Sequence, residues 1–96
     1  MLEAYRISDG ALRRFWDRGD DGKINAQWRR KVARILNALD VAVSPHELDM
    51  PGFGFHALKG DRRGDYSVSI TRNWRITFKW DDEGPYDVKM EDYHGR

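Results

Sequence analysis

Three runs in the second half of the chain alternate apolar and polar residues, with short polar breaks between them. Tyr66, Val68 and Ile70 share one parity in the run ending at Thr71. Trp74, Ile76, Phe78 and Trp80 do so in the next run, with Arg75, Thr77 and Lys79 on the other parity. Tyr86, Val88 and Met90 repeat the pattern in the third. A period of two marks a strand with one face buried. Arg72-Asn73 reads as a tight turn and Asp81 to Pro85 as a polar one, so the runs predict an antiparallel meander. A sheet with one apolar face must be covered, and this constrains everything upstream.

The first half supplies the cover. Leu12, Phe15 and Trp16 fall at i, i+3 and i+4, and Ser8-Asp9 precedes them with cap-forming side chains, which predicts a helix over Gly10 to Arg18. Ile24, Trp28, Val32, Ile35 and Leu39 step by four, four, three and four residues. This is an amphipathic helix over 24 to 39, capped near Asn25, with Arg29, Arg30, Lys31 and Arg34 on its other faces. Leu2 to Ile7 alternates and suits a short strand, Ser44-Pro45 opens a short helical turn, and Phe55 to Leu58 suits another short strand. Lys59 to Gly64 is a charged turn. The expected fold class is α+β: an N-terminal strand and two helices packed on a twisted, mostly antiparallel sheet.

Ninety-six residues suit a single domain spanning 1 to 96. Apolar residues make up 40% of the chain, too much for a disordered one. There is no cysteine, which excludes disulfides, thiolate metal sites and cysteine catalysis. No apolar run is long enough to span a membrane and the start has no signal-peptide pattern, so no membrane partner and a cytoplasmic location are expected.

Net charge is only +1, but it is unevenly distributed. Residues 59 to 79 hold six basic and two acidic side chains, whereas residues 80 to 96 hold two basic and six acidic ones. The cations Lys59, Arg62, Arg63, Arg72, Arg75 and Lys79 lie on the charged turn and along the meander. They read either as ordinary solvated surface or as a phosphate-binding concavity. Arg62, Arg63, Arg72 and Lys79 are thus the candidate RNA contacts, with Trp74 as a base-stacking candidate whose competing use is strand-end packing. Tyr93 divides the same way. His46 lies in a polar turn and reads as surface. His56 directly precedes the basic turn, and His94 ends the last run. Imidazole, cations and a phenol, without metal-ligand spacing, suit RNA cleavage at its own 2′-hydroxyl. One group takes the 2′ proton, a cation offsets the phosphorane charge, and another protonates the 5′-oxygen. No cofactor and no metal site are expected; phosphate-loop and nucleophile-elbow motifs are absent.

The segments His56-Ala57-Leu58-Lys59-Gly60-Asp61-Arg62-Arg63-Gly64, Tyr66-Ser67-Val68, Asn73-Trp74-Arg75-Ile76-Thr77-Phe78 and Glu91-Asp92-Tyr93-His94 resemble, in order and spacing, those of the HigB toxins. These are RelE-like toxins of bacterial type II toxin–antitoxin modules. The resemblance implies a small α+β ribonuclease that cuts mRNA in the A site of the translating bacterial ribosome, without metal or cofactor. It also implies a helix-turn-helix antitoxin of the HigA kind, through which alone the complex reaches operator DNA. Carried over, the catalytic set falls on His56, Lys59, Arg75, Asp92, Tyr93 and His94. Arg75 and Lys59 then hold the scissile phosphate, and His94 or His56 exchanges protons. Asp92 accepts from the 2′-hydroxyl or orients a histidine, and Tyr93 stacks a base or donates a proton. Family members often end at this last motif, whereas Gly95-Arg96 follow it here. The other reading is a non-catalytic RNA- or ribosome-binding module on the same fold.

Overall fold

The computed structural model describes residues 1–93. Helix α1 spans Gly10–Arg18, as its spacing predicts, and helix α2 spans Arg29–Val41. The strands are β1 (His56–Ala57), β2 (Tyr66–Ser69), β3 (Trp74–Asp81) and β4 (Gly84–Asp92). They form one sheet in the order β1-β2-β3-β4, every neighbouring pair antiparallel. One face of the sheet gives Val68, Ile76, Phe78 and Val88 to the core. The helices answer with Leu12, Val32, Ile35, Leu36 and Leu39, all at 0–1% exposure. Each such side chain stabilises the fold by about 1.5–3 kcal/mol relative to an exposed one.

The expected N-terminal strand is not formed. Residues Ala4–Arg6 make a single turn of 3-10 helix, and only Ile7 bridges Val88, in the parallel sense. The reason lies in burial. Leu2 and Ile7 are both buried, yet five residues apart they would point to opposite faces of a strand. The turn brings both into the core and leaves Tyr5 outside. It also sends the Arg6 guanidinium to the carbonyls of Gly84 and Pro85 and to the carboxylates of Asp81 and Glu83, closing the β3–β4 turn.

Three other boundaries shift. A 3-10 turn at Ala26–Trp28, capped by the Asn25 side chain, precedes α2, which therefore starts later than its apolar spacing. β1 and β2 are shorter than expected, although the Leu58 N–H still donates to the Asp65 carbonyl at 2.9 Å. In β4 the register slips between Thr77 and Lys79, and Asp87 takes a φ of 50°. This is a bulge of two residues against one. Tyr86 consequently falls out of the alternation that Val88 and Met90 keep.

Asp9 joins the two layers beside this bulge. Its Oδ1 accepts from the N–H groups of Ala11 and Leu12, at 2.8 and 3.3 Å, and its Oδ2 from that of Met90, at 3.2 Å. Asp9→Ala is expected to cost about 2 kcal/mol, a lost N-cap plus an orphaned strand N–H. Asp9→Asn keeps the cap and should lose about half of that in urea denaturation.

Candidate active site

Cross-strand partners in an antiparallel sheet point to the same face. The pairs His56↔Ser67, Ser67↔Thr77 and Thr77↔Lys89 therefore form one row across the face opposite the helices. Arg75, paired with Ser69 and Glu91, lies on that face one step along. Its Nη1 donates to Ser67 Oγ at 2.6 Å and to the Gly54 carbonyl at 3.1 Å. Ser67 is fully buried. Among the described residues, Nε and Nη2 of Arg75 donate to no protein acceptor, so one edge of the guanidinium is fixed and the other is open. Gly54 is required there. Its φ is +54°, and a Cβ would lie 3.3 Å from that of Ser69.

A cleft of about 400 Å³ opens over this arginine, lined by His56, Lys59, Ser67, Arg75 and Tyr93 together with Ala57 and Leu58. His56 and Lys59 are exposed, and among the described residues neither side chain makes a hydrogen bond or an ion pair. The backbone at Tyr93 is held by its N–H, which donates to the Asn73 carbonyl at 2.8 Å. The cleft thus presents a guanidinium fork, an ammonium, an imidazole and a phenol, and among the described residues no carboxylate lines it. Such a set can hold a phosphodiester and move protons around it. Among the described residues no three His, Cys, Asp or Glu side chains are grouped to hold a metal.

Arg62 and Lys79 are committed elsewhere. Arg62 donates through Nε to Asp65 at 2.7 Å and, as a fork, to both oxygens of Glu91 at 3.2 and 2.8 Å. Lys79 donates to the other oxygen of Asp65, and Thr77 donates to Glu91. The Arg62 guanidinium lies 5.9 Å from the centre of the Tyr93 ring, at the rim of the cleft. Their place in the site is to frame it. Burial pushes the Asp65 carboxyl up, but the hydrogen bonds from Lys79 and Arg62 outweigh it and hold the group below its ordinary value. The hydrogen bonds from Arg62 likewise hold Glu91 low, against its burial. Both carboxylates thus bind protons less readily folded than unfolded. Their stabilisation is complete above the ordinary carboxylate range and is lost as pH falls through it. Arg62→Ala is expected to flatten the acid limb of a stability–pH curve below about pH 4.5 and to cost about 2 kcal/mol at neutral pH, the cations being partly solvated.

The remaining candidates separate. Arg63 and Arg72 are exposed. Trp74 is 36% exposed and packs on Trp28 with ring centres 5.4 Å apart. Its parity puts it on the helix face, away from Arg75. Asp92 pairs with Trp74 and shares that parity; it does not line the cleft. His94 lies outside the described residues. His46 is exposed and meets Phe55 and Tyr66 edge-on. Sequence reasoning missed Ser67, Glu91 and the Gly54 carbonyl. Ser67 had one signal, a hydroxyl between Tyr66 and Val68 on the parity of Arg75.

An antiparallel sheet covered by helices on one face, with a cationic cleft on the other, is the architecture of a RelE-like toxin. A family model described as the RelE-like toxin of the type II toxin–antitoxin system HigB matches residues 5–94. The chain belongs to this HigB-like toxin family. It is 35% identical, over 98% of its length and 100% of the relative's, to a protein of Proteus vulgaris named Endoribonuclease HigB. Membership in a type II family implies a protein antitoxin as partner. Among the described residues no helix is long and apolar enough to cross a membrane.

Proposed function

We propose that this toxin is an endoribonuclease that cuts mRNA on the translating ribosome and thereby arrests growth. The observation that carries the reading is the convergence of His56, Lys59, Arg75 and Tyr93 on one cleft. The relative's name supports RNA as the polymer cut. The open edge of Arg75 and the Lys59 ammonium hold the scissile phosphate and offset the charge of the phosphorane. The 2′-oxygen attacks phosphorus while its proton passes to a base, and the 5′-oxygen departs with a proton from an acid. A 2′,3′-cyclic phosphate and a 5′-hydroxyl result. His56 carries one of these protons, and Tyr93 or the adjacent His94 the other; Asp92 orients His94. The lining donor set is cationic, which suits direct charge stabilisation by side chains and needs no metal. Arg63 and Arg72 contact the flanking RNA backbone, whereas Trp74, packed on Trp28 on the helix face, takes the strand-end packing role.

So small a cleft offers few groups to orient a free strand, and a ribosome supplies that orientation. A helix-turn-helix antitoxin suppresses the toxin and carries the pair to operator DNA in the cytoplasm. The test is primer extension on a reporter mRNA after the chain is induced. Cuts confined to translated codons, and lost when the start codon is removed, are expected. Growth arrest with intact mRNA would overturn the reading in favour of inhibition by occupancy.

A further inference from the structure

Helix α2 violates a local rule. Its first turn holds no acidic residue, while Arg29, Arg30, Lys31 and Arg34 crowd its first six positions. The positive end of the helix dipole disfavours cations there. Of these four, among the described residues, only Arg29 forms an ion pair, with Asp21 at 3.7 Å. Among the described residues Arg30, Lys31 and Arg34 pair with no carboxylate. Lys31 and Arg34 both sit over the Phe53 ring, 5.9 and 5.4 Å from its centre. Two cations gathered on one ring without a counter-charge repel each other, and burial together with Arg34 holds the Lys31 ammonium below its ordinary value. The ring and a carbonyl hold these cations in place without neutralising them, so the surface remains open to an anion.

Its position names the anion. Lys31 Nζ donates to the Gly52 carbonyl at 2.7 Å, and Arg75 Nη1 to the Gly54 carbonyl at 3.1 Å. The two carbonyls are two residues apart on one loop, so the two cations lie within roughly 13 Å of each other. We propose that Lys31, Arg34 and Arg30 continue the cleft as a track for an RNA phosphodiester backbone, running over the loop at 51–54 and onto the exposed side of α2. The proposal rests on the ribonuclease reading and extends it beyond the reacting phosphate. An acidic protein segment is the competing occupant. The continuity with Arg75 through a single loop favours RNA, because one polyanion then meets both.

The variant K31Q/R34Q keeps the stems over Phe53 and removes both charges. Its binding to a 2′-O-methylated, uncleavable single-stranded RNA is read by anisotropy across a salt series. Two lost phosphate contacts should reduce the salt slope by about 1.4 and weaken binding roughly tenfold at low salt. A second arm measures co-sedimentation with ribosomes lacking message. Loss with the oligonucleotide assigns the track to the substrate strand, and loss only with ribosomes assigns it to ribosomal RNA. An unchanged salt slope in the first arm together with unchanged co-sedimentation in the second overturns the track. If wild-type protein still cuts the reporter mRNA in that case, the ribonuclease reading stands without the track. If it neither binds nor cuts RNA, the reading and the track fall together.

Discussion

Arg75→Ala should abolish growth inhibition and lower message cleavage by about 10²- to 10³-fold, the usual loss when one preorganised donor to a developing charge is removed. Arg75 is held before any substrate arrives. Its Nη1 is spent on Ser67 and the Gly54 carbonyl, so the remaining edge needs no reorganisation to meet a phosphate. Arg75→Lys tests the geometry. A lysine is a point charge and cannot hold Ser67, Gly54 and a phosphate together, so it should recover little of the rate. The alanine variant leaves the buried Ser67 hydroxyl short of a partner and should lose about 1 kcal/mol of stability, so it remains folded. A folded variant that still arrests growth would remove Arg75 from the catalytic machinery.

Phe53→Ala should be the most damaging single change to the fold, at about 3–5 kcal/mol. That is a large part of the stability expected of a domain this small. Phe53 is fully buried, in a loop without regular structure, and its carbonyl accepts from the Ser69 N–H at 2.6 Å. The same segment carries the Gly54 carbonyl that fixes Arg75. Urea denaturation of the alanine variant should show an early midpoint, and cleavage should fall more steeply with temperature than in the wild type. Phe53→Leu should retain most of the stability. A Phe53→Ala variant as stable as the parent would show that the loop is not anchored by this ring.

The meander and the helices were legible because their signals are periodic. Alternation over Trp74 to Trp80 and helical spacing over Ile24 to Leu39 survive small errors of boundary. The N-terminal segment misled, since six alternating residues fit a strand until Leu2 and Ile7 are both required inside. In the site, Arg75, Lys59, His56 and Tyr93 were readable through their resemblance to a family motif, and the parity of β3 alone singled out the face of Arg75. Parity also distinguishes Glu91 from Asp92, but only once the Trp74↔Asp92 register is known. The same holds for Arg62 and Lys79. Both look like free cations in the sequence, and only the folded charged turn brings Asp65 and Glu91 against them.

The first residues of the chain dock on its last strand. Ser8 donates to the Val88 carbonyl at 2.9 Å, Arg6 reaches Pro85, and Asp9 holds the Met90 N–H. Tyr93, on the far side of that strand, completes the cleft. Synthesis runs from the N-terminus at about 5–20 residues per second, so α1 and α2 emerge long before the strand that anchors them. An incomplete nascent chain therefore has helices with no finished sheet and a cleft with no Tyr93. The cleft is complete only once β4 and Tyr93 have been made and have paired with the elements that precede them.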